Sequence, residues 1–349
     1  MKELSISTEK PYKVIIGSGM IARLGEFIGS LDHPPQSVMI VTDSNVGPLY
    51  AERAKKALSE LNAQVIEVPA GEEYKTPETV LCILHQLAKN EFTRDDLVFA
   101  LGGGVIGDMS GFAAAIYQRG MRFAQCPTTL LSAVDASVGG KTAVDLPEGK
   151  NLIGAFHQPS IVICDTDTFS TLPENRIADG AAEIIKHAVI ADKALFEELK
   201  CLSWRDHMEN IVAQNVMIKR SFVLDDEKDL GKRQTLNFGH TIGHAVEAWS
   251  RFSLSHGQSV AIGMVMETRA ARRLGLSDWD EQELVEVLRE NGLPTETDAK
   301  TADILEYMIH DKKRKGRGIT IAVPVRIGET RLEDIALDRV KEYIEAGQP

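Results

Sequence analysis

Two hydrophobic patterns alternate along the first half of the chain. Short apolar runs such as residues 37–42 and 161–165 have the length and continuity of strands that are buried on both faces of a sheet. Between the runs lie segments such as residues 77–90, which repeat apolar positions at helical spacing and follow a capping Thr76. Strands that alternate with helices predict a parallel sheet covered by helices.

Helical periodicity dominates from residue 174 onward. It predicts helices at residues 213–224, 261–274, 281–291 and 302–310, followed by one apolar strand, ITIAVPV. A chain of 349 residues is also too long for one ordinary hydrophobic core. We therefore expect an α/β Rossmann-like domain over residues 1–175 and a mainly α-helical domain over residues 176–349.

Composition narrows the class of protein. With 43% hydrophobic and 26% charged residues the chain is globular, and its net charge of −12 argues against a nucleic-acid partner or an anionic membrane. We find no signal-peptide pattern at the N-terminus and no run of eighteen apolar residues. Four scattered cysteines without CxxC spacing fit reduced thiols, so we expect a cytoplasmic protein.

Three histidines form the densest cluster of candidate chemistry. His240 and His244 share one face of a predicted helix over residues 241–249, and His256 precedes the next helix. Arg233 and Asn237 stand just upstream and offer a bidentate anion donor and an amide. Either the three imidazoles form a metal site completed by a distant carboxylate, or they are polar side chains on a half-buried helix.

A glycine-rich stretch follows the predicted strand 96–101. Residues 102–107, GGGVIG, satisfy G-x-G-x-x-G and lead into an apolar helix, where backbone N–H groups can bind a pyrophosphate. The motif does not lie on the first strand, and no acidic residue ends a strand about twenty residues later. The pattern is therefore either a packing motif or an atypical dinucleotide site in which Asp43 supplies the ribose carboxylate.

Several basic residues are candidate anion ligands, although each alone is equally compatible with a solvated surface. Residues 139–142, GGKT, resemble the end of a P-loop, but position 135 is Asp where that motif needs glycine. We therefore reject an ATPase and expect only a flexible loop that presents Lys141. The other candidates are Lys150 with Asn151, Lys186 at helical spacing from Glu183, Lys219, and Lys312 or Lys313 in the basic run DKKRKGR.

Longer motifs, in this order, resemble the 3-dehydroquinate synthase family over about residues 12–328. They are GEEYKT, GGGVIGD, YQRG, PTTLLSAVDASVGGKTAVDLPEGKNLIGAFHQP, GAAEIIKHA and LNFGHTIGHAVE followed by SHGQSVAIGM. The resemblance implies an enzyme that uses NAD and Zn²⁺ or Co²⁺ to convert 3-deoxy-D-arabino-heptulosonate 7-phosphate, a phosphorylated sugar acid, into 3-dehydroquinate and phosphate. The implied course is transient oxidation, phosphate β-elimination, re-reduction, ring opening and aldol closure.

The resemblance also implies roles for individual residues. The metal ligands would be Glu183, His240 and His256, so that His244 serves proton transfer and phosphate contact instead of the metal. The other catalytic residues would be Lys141, Asp135, Lys186 and Asp229. At the position of Asp229 the family commonly has glutamate. The NAD-binding residues would be Asp43, Gly71, Glu72, Glu73, Tyr74, Lys75, Gly104, Val105, Ile106, Gly107, Asp108, Thr128, Thr129, Lys141, Lys150, Thr168, Phe169, Ser170 and Thr171.

Substrate contacts and oligomeric state follow in the same way. The implied substrate-binding residues are Arg119, Asp135, Lys141, Asn151, Lys186, Lys219, Arg233, Asn237, His244 and Lys312. Arg119 is similar to an arginine that reaches the neighbouring subunit's site, which implies a homodimer. The alternatives are a sister cyclase such as 2-deoxy-scyllo-inosose synthase, a metal-dependent polyol dehydrogenase, and a non-catalytic sensor that retains the site.

Overall fold

A computed structural model of the protein describes residues 1–251, 253–312 and 318–349, with side chains left out for residues 309–312. The chain divides into two compact units. The first unit comprises Met1–Leu172 and Glu209–Arg220, and the second comprises Pro173–Met208 and Ser221–Pro349. We expected one boundary near residue 175, whereas the structure adds a later segment, which carries Lys219, to the first unit.

The first unit contains a seven-stranded sheet among its described residues. The strands are β1 (Lys2–Ile6), β2 (Tyr12–Gly17), β3 (Ser37–Asp43), β4 (Asn62–Val68), β5 (Leu97–Gly102), β6 (Arg122–Pro127) and β9 (Ile161–Asp165), in the order β1-β2-β9-β6-β5-β3-β4. Only the β1–β2 pair is antiparallel. A separate hairpin joins β7 (Lys141–Leu146) to β8 (Gly149–Phe156).

Helices cover both faces of this sheet, as the continuous apolar runs predict. They are α1 (Leu24–Gly29), α2 (Gly47–Ala57), α3 (Pro77–Lys89) and α4 (Gly104–Ile116). Val38 and Phe99 face a core that includes side chains of α1 and α2. Their neighbours Met39 and Val98 face a core formed with α3 and α4. The alternation of strand side chains therefore divides the interior into two layers.

The second unit is mainly helical. Its helices are α5 (Glu174–Ala191), α6 (Lys193–Glu198), the ends of α7 (Met208–Asp225), α8 (His240–Trp249), α9 (His256–Arg273), α10 (Gln282–Glu290), α11 (Thr301–Lys312) and α12 (Val340–Gly347). One hairpin joins β10 (Ile319–Arg326) to β11 (Glu329–Ile335). Ile242 of α8, Ile262 of α9 and Tyr343 of α12 belong to its buried core.

The fold class predicted from the sequence is confirmed, and two local predictions differ from the structure. Lys141 does not lie in a flexible loop, because it begins β7 and pairs with Phe156 of β8. The apolar helix predicted after the glycines begins earlier, at Gly104. Among the described residues, every helix is too short or too polar to cross a lipid bilayer.

Candidate active site

Three donor groups from three helices of the second unit meet at one point. The Oε1 atom of Glu183, on α5, lies 3.3 Å from Nε2 of His240 and 3.2 Å from Nε2 of His256. The two histidines are the first residues of α8 and α9, and Glu183 is fully buried. One potential ligand atom from each residue lies within 4.8 Å of the other two. A carboxylate and two imidazoles at this spacing can hold one metal ion.

The second nitrogen of each imidazole also has a partner. Nδ1 of His240 lies 3.1 Å from the carbonyl oxygen of Phe238, and Nδ1 of His256 lies 3.7 Å from Oε2 of the buried Glu247. Since a carbonyl oxygen only accepts, Nδ1 of His240 carries the proton and Nε2 keeps its lone pair in the neutral ring. Metal-binding histidines are oriented by such contacts to the nitrogen that does not bind the ion.

Lys186 binds the other oxygen of Glu183. Its Nζ atom lies 2.5 Å from Oε2, and both side chains are buried. Burial alone would raise the pKa of Glu183, but Lys186 and His240 hold this pKa well below its ordinary value. Lys186 thus occupies Oε2, while Oε1 is directed at the two imidazoles.

His256 also lies close to two carboxylates, those of Glu183 and Glu247. Burial would lower its pKa, but the hydrogen bond to Glu183 and the nearby Glu247 carboxylate outweigh burial and raise the pKa of His256 to about 10. The surrounding carboxylates therefore favour positive charge at this position, either as a proton on the ring or as a cation between the three donors. The donor set and its electrostatics fit a divalent metal.

His244 lies one helical turn after His240 and is exposed. Its ring centroid is 5.1 Å from that of His240 and 5.8 Å from that of His256. The cluster of three histidines predicted from spacing therefore exists. His244 lies outside the group that contains Glu183, although it forms a second potential group with Glu247 and His256.

The polar residues just before α8 lie on a short 3-10 helix, Lys232–Asn237. Arg233 is almost fully buried, and its Nη1 donates to the carbonyl oxygen of Glu227 at 2.7 Å. Asp226 accepts from the backbone N–H of Arg233 at 3.2 Å, and Asn237 is exposed. Asp229 has a left-handed backbone with φ 58°.

Two predicted site residues fall partly or wholly outside the described part of the chain. Lys312 is the last residue of α11, and its side chain is not described. Lys313 lies outside the described residues.

Lys219 and Asp135 form a pair within the first unit. Nζ of Lys219 lies 2.9 Å from Oδ1 of Asp135 and 2.6 Å from its carbonyl oxygen. Lys219 is on α7, and Asp135 is on a short π-helix, Ser132–Ala136, after β6. Sequence spacing alone gave no reason to connect these two residues.

Most of the predicted NAD-binding residues follow the carboxyl ends of parallel strands. Asp43 ends β3, the Gly71–Lys75 stretch follows β4, the glycine motif follows β5, Thr128 and Thr129 follow β6, and Thr168–Thr171 follow β9. The connections from β3 and β5 lead to opposite sides of the sheet, because β4 lies beyond β3 whereas β6 lies beyond β5. Such a reversal of strand order forms the crevice in which α/β sheets bind ligands.

The residues around that crevice suit a dinucleotide phosphate group. The N-cap of α4 is Gly103, which has no side chain to cap the helix. A Cβ atom at Gly103 would meet the Thr129 side chain at 3.1 Å, so the backbone at Gly103 lies close to that side chain. The N–H groups in the first turn of a helix have no partner within the helix, and such groups can bind an anion. One oxygen of Asp43 accepts from the backbone of Asn45 and Val46 and orders the loop after β3.

Lys75 connects two predicted sites. Its Nζ atom lies 2.7 Å from Asp108 of α4 and donates to the side-chain oxygen of Asn151 at 2.7 Å. Burial alone would lower the pKa of Lys75, but Asp108 and Glu72 raise it above the ordinary value. Asn151 has φ 54°, and its backbone N–H donates to Asp145 at 2.7 Å. The lysine therefore fixes residues expected to bind NAD and substrate.

Other predicted residues lie at more exposed positions. Lys150 pairs with Glu72 at 3.3 Å, and the side chain of Lys141 is exposed. Arg119 is exposed at the end of a 3-10 turn with φ 67°. Thr171 shares a hydrogen bond with Tyr50 at 2.7 Å.

Two buried carboxylates near the histidines were not predicted. Glu247 follows His244 by three residues, so its helical spacing was a usable signal. Glu267 accepts from the backbone at the start of α8, and no local pattern identifies this contact.

Comparison with known proteins gives a consistent family. Residues 65–179 match the family model described as 3-dehydroquinate synthase N-terminal, and residues 180–314 match the one described as 3-dehydroquinate synthase C-terminal. The 3-dehydroquinate synthase of Streptococcus mutans is 40% identical over 346 residues, which covers 96% of this chain and 97% of that protein.

Two solved structures are similar along almost the full length. A 2-deoxy-scyllo-inosose synthase complexed with carbaglucose-6-phosphate, NAD⁺ and Co²⁺ has a TM-score of 0.89 at 24% identity, covering 98% of this chain and 99% of that one. ValA, a 2-epi-5-epi-valiolone synthase from Streptomyces hygroscopicus with NAD⁺ and Zn²⁺ bound, has a TM-score of 0.86 at 26% identity. It covers 99% of this chain and 96% of its own.

Proposed function

The chain belongs to the 3-dehydroquinate synthase family of lyase-type cyclases in the shikimate pathway, and from this premise we propose how its residues carry out the reaction. The substrate is 3-deoxy-D-arabino-heptulosonate 7-phosphate, and the products are 3-dehydroquinate and inorganic phosphate. The single observation that carries the proposal is the convergence of Glu183, His240 and His256, in a chain that matches the family over nearly its whole length.

Glu183, His240 and His256 would hold one divalent metal ion, zinc or cobalt. Three protein ligands leave coordination positions open for substrate oxygens, as in catalytic zinc sites. A bound ion supplies a Lewis acid that lowers the pKa of a substrate hydroxyl. Lys186 keeps Oε2 of Glu183 engaged, so the carboxylate presents Oε1 to the ion.

NAD would bind across the carboxyl ends of the parallel strands in the first unit. The first turn of α4 would offer N–H groups to the pyrophosphate, and Asp43, at the end of β3, would supply the carboxylate that binds the ribose. NAD supplies a hydride acceptor that returns the hydride within the same cycle. Lys75 anchors this region through Asp108, with Lys150, Thr129 and Thr168–Thr171 as further contacts.

The substrate carries a carboxylate and a phosphate, which an acidic protein must bind with local cations. Arg233 offers a planar guanidinium suited to bidentate contact with an anion, and Lys219 and Lys186 add ammonium groups. Asn151 and Asn237 provide amides that can bind hydroxyls. Further contacts are assigned to Lys141, Asp135 and Lys312.

Proton transfer is assigned to His244. It is exposed, and its ring lies 5.1 Å from that of His240 and 5.8 Å from that of His256. An imidazole can both accept and donate a proton, and it can contact a phosphate. Asp229 has one methylene fewer than glutamate, so we assign it a supporting acid–base role only.

The deciding experiment measures phosphate and NADH together. Purified protein with NAD, Zn²⁺ and the heptulosonate phosphate should release one phosphate per product while NADH absorbance stays flat. A polyol dehydrogenase would instead accumulate NADH, and a sensor would release no phosphate. Release of phosphate from glucose 6-phosphate, but not from the heptulosonate, would favour the 2-deoxy-scyllo-inosose synthase reaction, which the fold similarity makes the second candidate.

A homodimer and a cytoplasmic location also remain predictions. The exposed, left-handed Arg119 at the end of its turn suits a side chain that extends to another subunit. Cys82, Cys126, Cys164 and Cys201 are free thiols, in keeping with a reducing compartment.

A further inference from the structure

The helix that begins with His240 has an unusual N-terminal cap. The N-cap of α8 is Gly239, with φ 77° and no side chain to accept from the first turn. Glu267 of α9 accepts instead, through Oε2 from the N–H of Gly239 at 2.8 Å and through Oε1 from the N–H of Ile242 at 3.0 Å. One carboxylate thus satisfies two backbone groups that have no partner within the helix.

These contacts offset the free-energy cost of burying the Glu267 carboxylate. It is fully buried, and a carboxylate in the interior is stable only where hydrogen bonds or opposite charge replace water. The two N–H donors and the positive end of the α8 dipole provide both. Burial, and secondly the Glu267 carboxylate, raise the pKa of Tyr343 well above its ordinary value.

The same carboxylate joins the two helices that carry the metal-binding histidines. His256 begins α9, where Ser255 and Gln258 form a capping box and Asp179 accepts from the Ser255 hydroxyl. Glu267 lies farther along this helix and holds the first turn of α8. The position of His240 relative to His256 therefore depends on a contact that involves neither imidazole ring.

Close packing of backbone atoms supports the contact. A Cβ atom on Gly263 of α9 would lie 1.9 Å from the carbonyl oxygen of Gly239, and one on Gly243 would lie 2.8 Å from that of Ser259. The helices touch backbone to backbone beside the cap. A small displacement of the first turn of α8 would therefore move His240 instead of being absorbed by flexible side chains.

We propose that Glu267 is a positioning residue for the metal site, because its carboxylate fixes the start of α8 and directs His240 towards Glu183 together with His256. The inference rests on the metal site proposed above. It assigns Glu267 no contact with the ion, the substrate or NAD.

The first unit offers a matched control. Asp165 caps a short 3-10 helix in the same manner, accepting from Gly19 at 2.9 Å and from Ile21 at 2.8 Å, and Gly19 also has a positive φ of 72°. Asp165 is likewise fully buried. Loss of this cap removes the same kind of interaction from a unit that contains none of the three proposed metal ligands.

The first experiment measures metal affinity directly. In E267Q one backbone N–H would face the amide donor, so the cap is half lost. We expect the dissociation constants for Zn²⁺ and Co²⁺, measured by chelator competition, to rise about 10- to 100-fold, with a changed Co²⁺ absorption spectrum and unchanged NAD affinity. E267D should recover part of the loss, and D165N should leave metal affinity unchanged.

A second measurement needs only the wild-type protein. Coupling between two sites is reciprocal, so Zn²⁺ should slow amide hydrogen exchange at Gly239 and Ile242 but not at Gly19 and Ile21. Unchanged exchange at Gly239 and Ile242, or a folded E267Q with wild-type affinity, overturns this inference alone. A wild-type protein that binds neither metal overturns the proposed function as well.

Discussion

At the scale of single residues, the charged groups around the Glu183 carboxylate explain why the proposed metal site would attract a cation. Glu183 directs Oε1 at two imidazoles and Oε2 at Lys186, so each oxygen has a separate task. Its lowered pKa favours the ionised form, and an ionised carboxylate attracts a cation such as the metal ion proposed for this site. Burial makes this attraction stronger than it would be in water.

The sequence predicted only part of this arrangement. The spacing of His240 and His244 and the nearby His256 identified the cluster, and the three rings do lie together. Spacing could not decide which imidazoles face the same carboxylate, since that depends on how α5 packs beside α8 and α9. The assignment of Glu183 came from the family resemblance, and no local pattern revealed Glu267.

Lys75 provides a residue-scale prediction about stability. Replacement by Met leaves the Asp108 carboxylate without its cation and Asn151 without its donor. Breaking a fully buried pair costs 3–5 kcal/mol, and because Asp108 keeps some exposure we expect a loss of roughly 2 kcal/mol in the free energy of unfolding. Urea denaturation would measure the change.

The control for this variant is an exposed pair in the same unit. Lys13 and Glu3 lie 2.7 Å apart on β2 and β1, with side chains 59% and 47% exposed. K13M should change the free energy of unfolding by less than about 1 kcal/mol. Equal effects of K75M and K13M would contradict a structural role for the buried lysine.

At the scale of elements, the crossing of α8 and α9 decides where His240 and His256, the two proposed metal ligands, lie. The glycines Gly239, Gly243 and Gly263 allow the two backbones to touch. Helical periodicity predicted both helices but not this contact, because a glycine within an apolar helix does not identify its neighbour.

Gly263 therefore tests the crossing. In G263A the added methyl group collides with backbone atoms of Gly239 and Gly243 and must separate the helices. We expect a loss of about 1–3 kcal/mol in the free energy of unfolding, together with weaker Zn²⁺ binding in a chelator titration. G29A is the control, since a Cβ there has nothing within 4 Å; stability close to wild type in both variants would refute the argument.

The link between α9 and the residue before α10 predicts a dependence on pH. Burial alone would raise the pKa of Glu281, but the hydrogen bond from Arg269, at 2.8 Å, holds it below its ordinary value of 4.5. A lowered pKa stabilises the fold above the ordinary value, and this stability is lost as the pH falls through the lowered one.

Urea denaturation of wild type and E281Q at several pH values would detect this. The wild type should be more stable at neutral pH, and the difference should shrink as the pH falls below 4.5. A difference that stays constant down to about pH 3 would show that ionised Glu281 contributes nothing.

The pattern of apolar residues did not predict the hairpin β7–β8. Lys141 and the GKNLIGAF segment have no regular apolar alternation, and glycines beside Lys141 are typical of loops. Pairing between the two strands forms the hairpin, and pairing is a tertiary property. In contrast, β3, β5 and β9 were predictable because each is a largely apolar run that is buried in the sheet.

At the scale of the whole molecule, the order of elements was predictable but the division of the chain was not. Helix α7 has the periodicity of any helix of the second half, yet its segment Glu209–Arg220 groups with the first unit. Glu209 accepts from the backbone of Ser18, and Lys219 binds Asp135. The spacing of hydrophobic residues predicts that a helix forms, but it does not predict which core the helix joins.

The proposed homodimer predicts complementation between two inactive variants. R119A should lack the arginine supplied to a neighbour, and E183A should lack the metal ligand in its own site. If R119A and E183A chains are mixed, dissociated and reassembled, about one quarter of the sites should contain both residues. Phosphate release near that level is expected, measured beside each variant alone.

The outcome distinguishes the two possible positions of the arginine. If Arg119 acted within its own subunit, every mixed site would lack one of the two residues. Activity no higher than that of either variant alone would therefore contradict a role across the subunit interface.

The return of Glu209–Arg220 to the first unit has a consequence for dividing the protein into pieces. A polypeptide that stopped at Leu172 would lack the helical segment that supplies Glu209 and Lys219 to its own fold. Expressed alone, a fragment of residues 1–172 should therefore aggregate, and its recovery as a folded monomer would contradict the grouping of Glu209–Arg220 with the first unit.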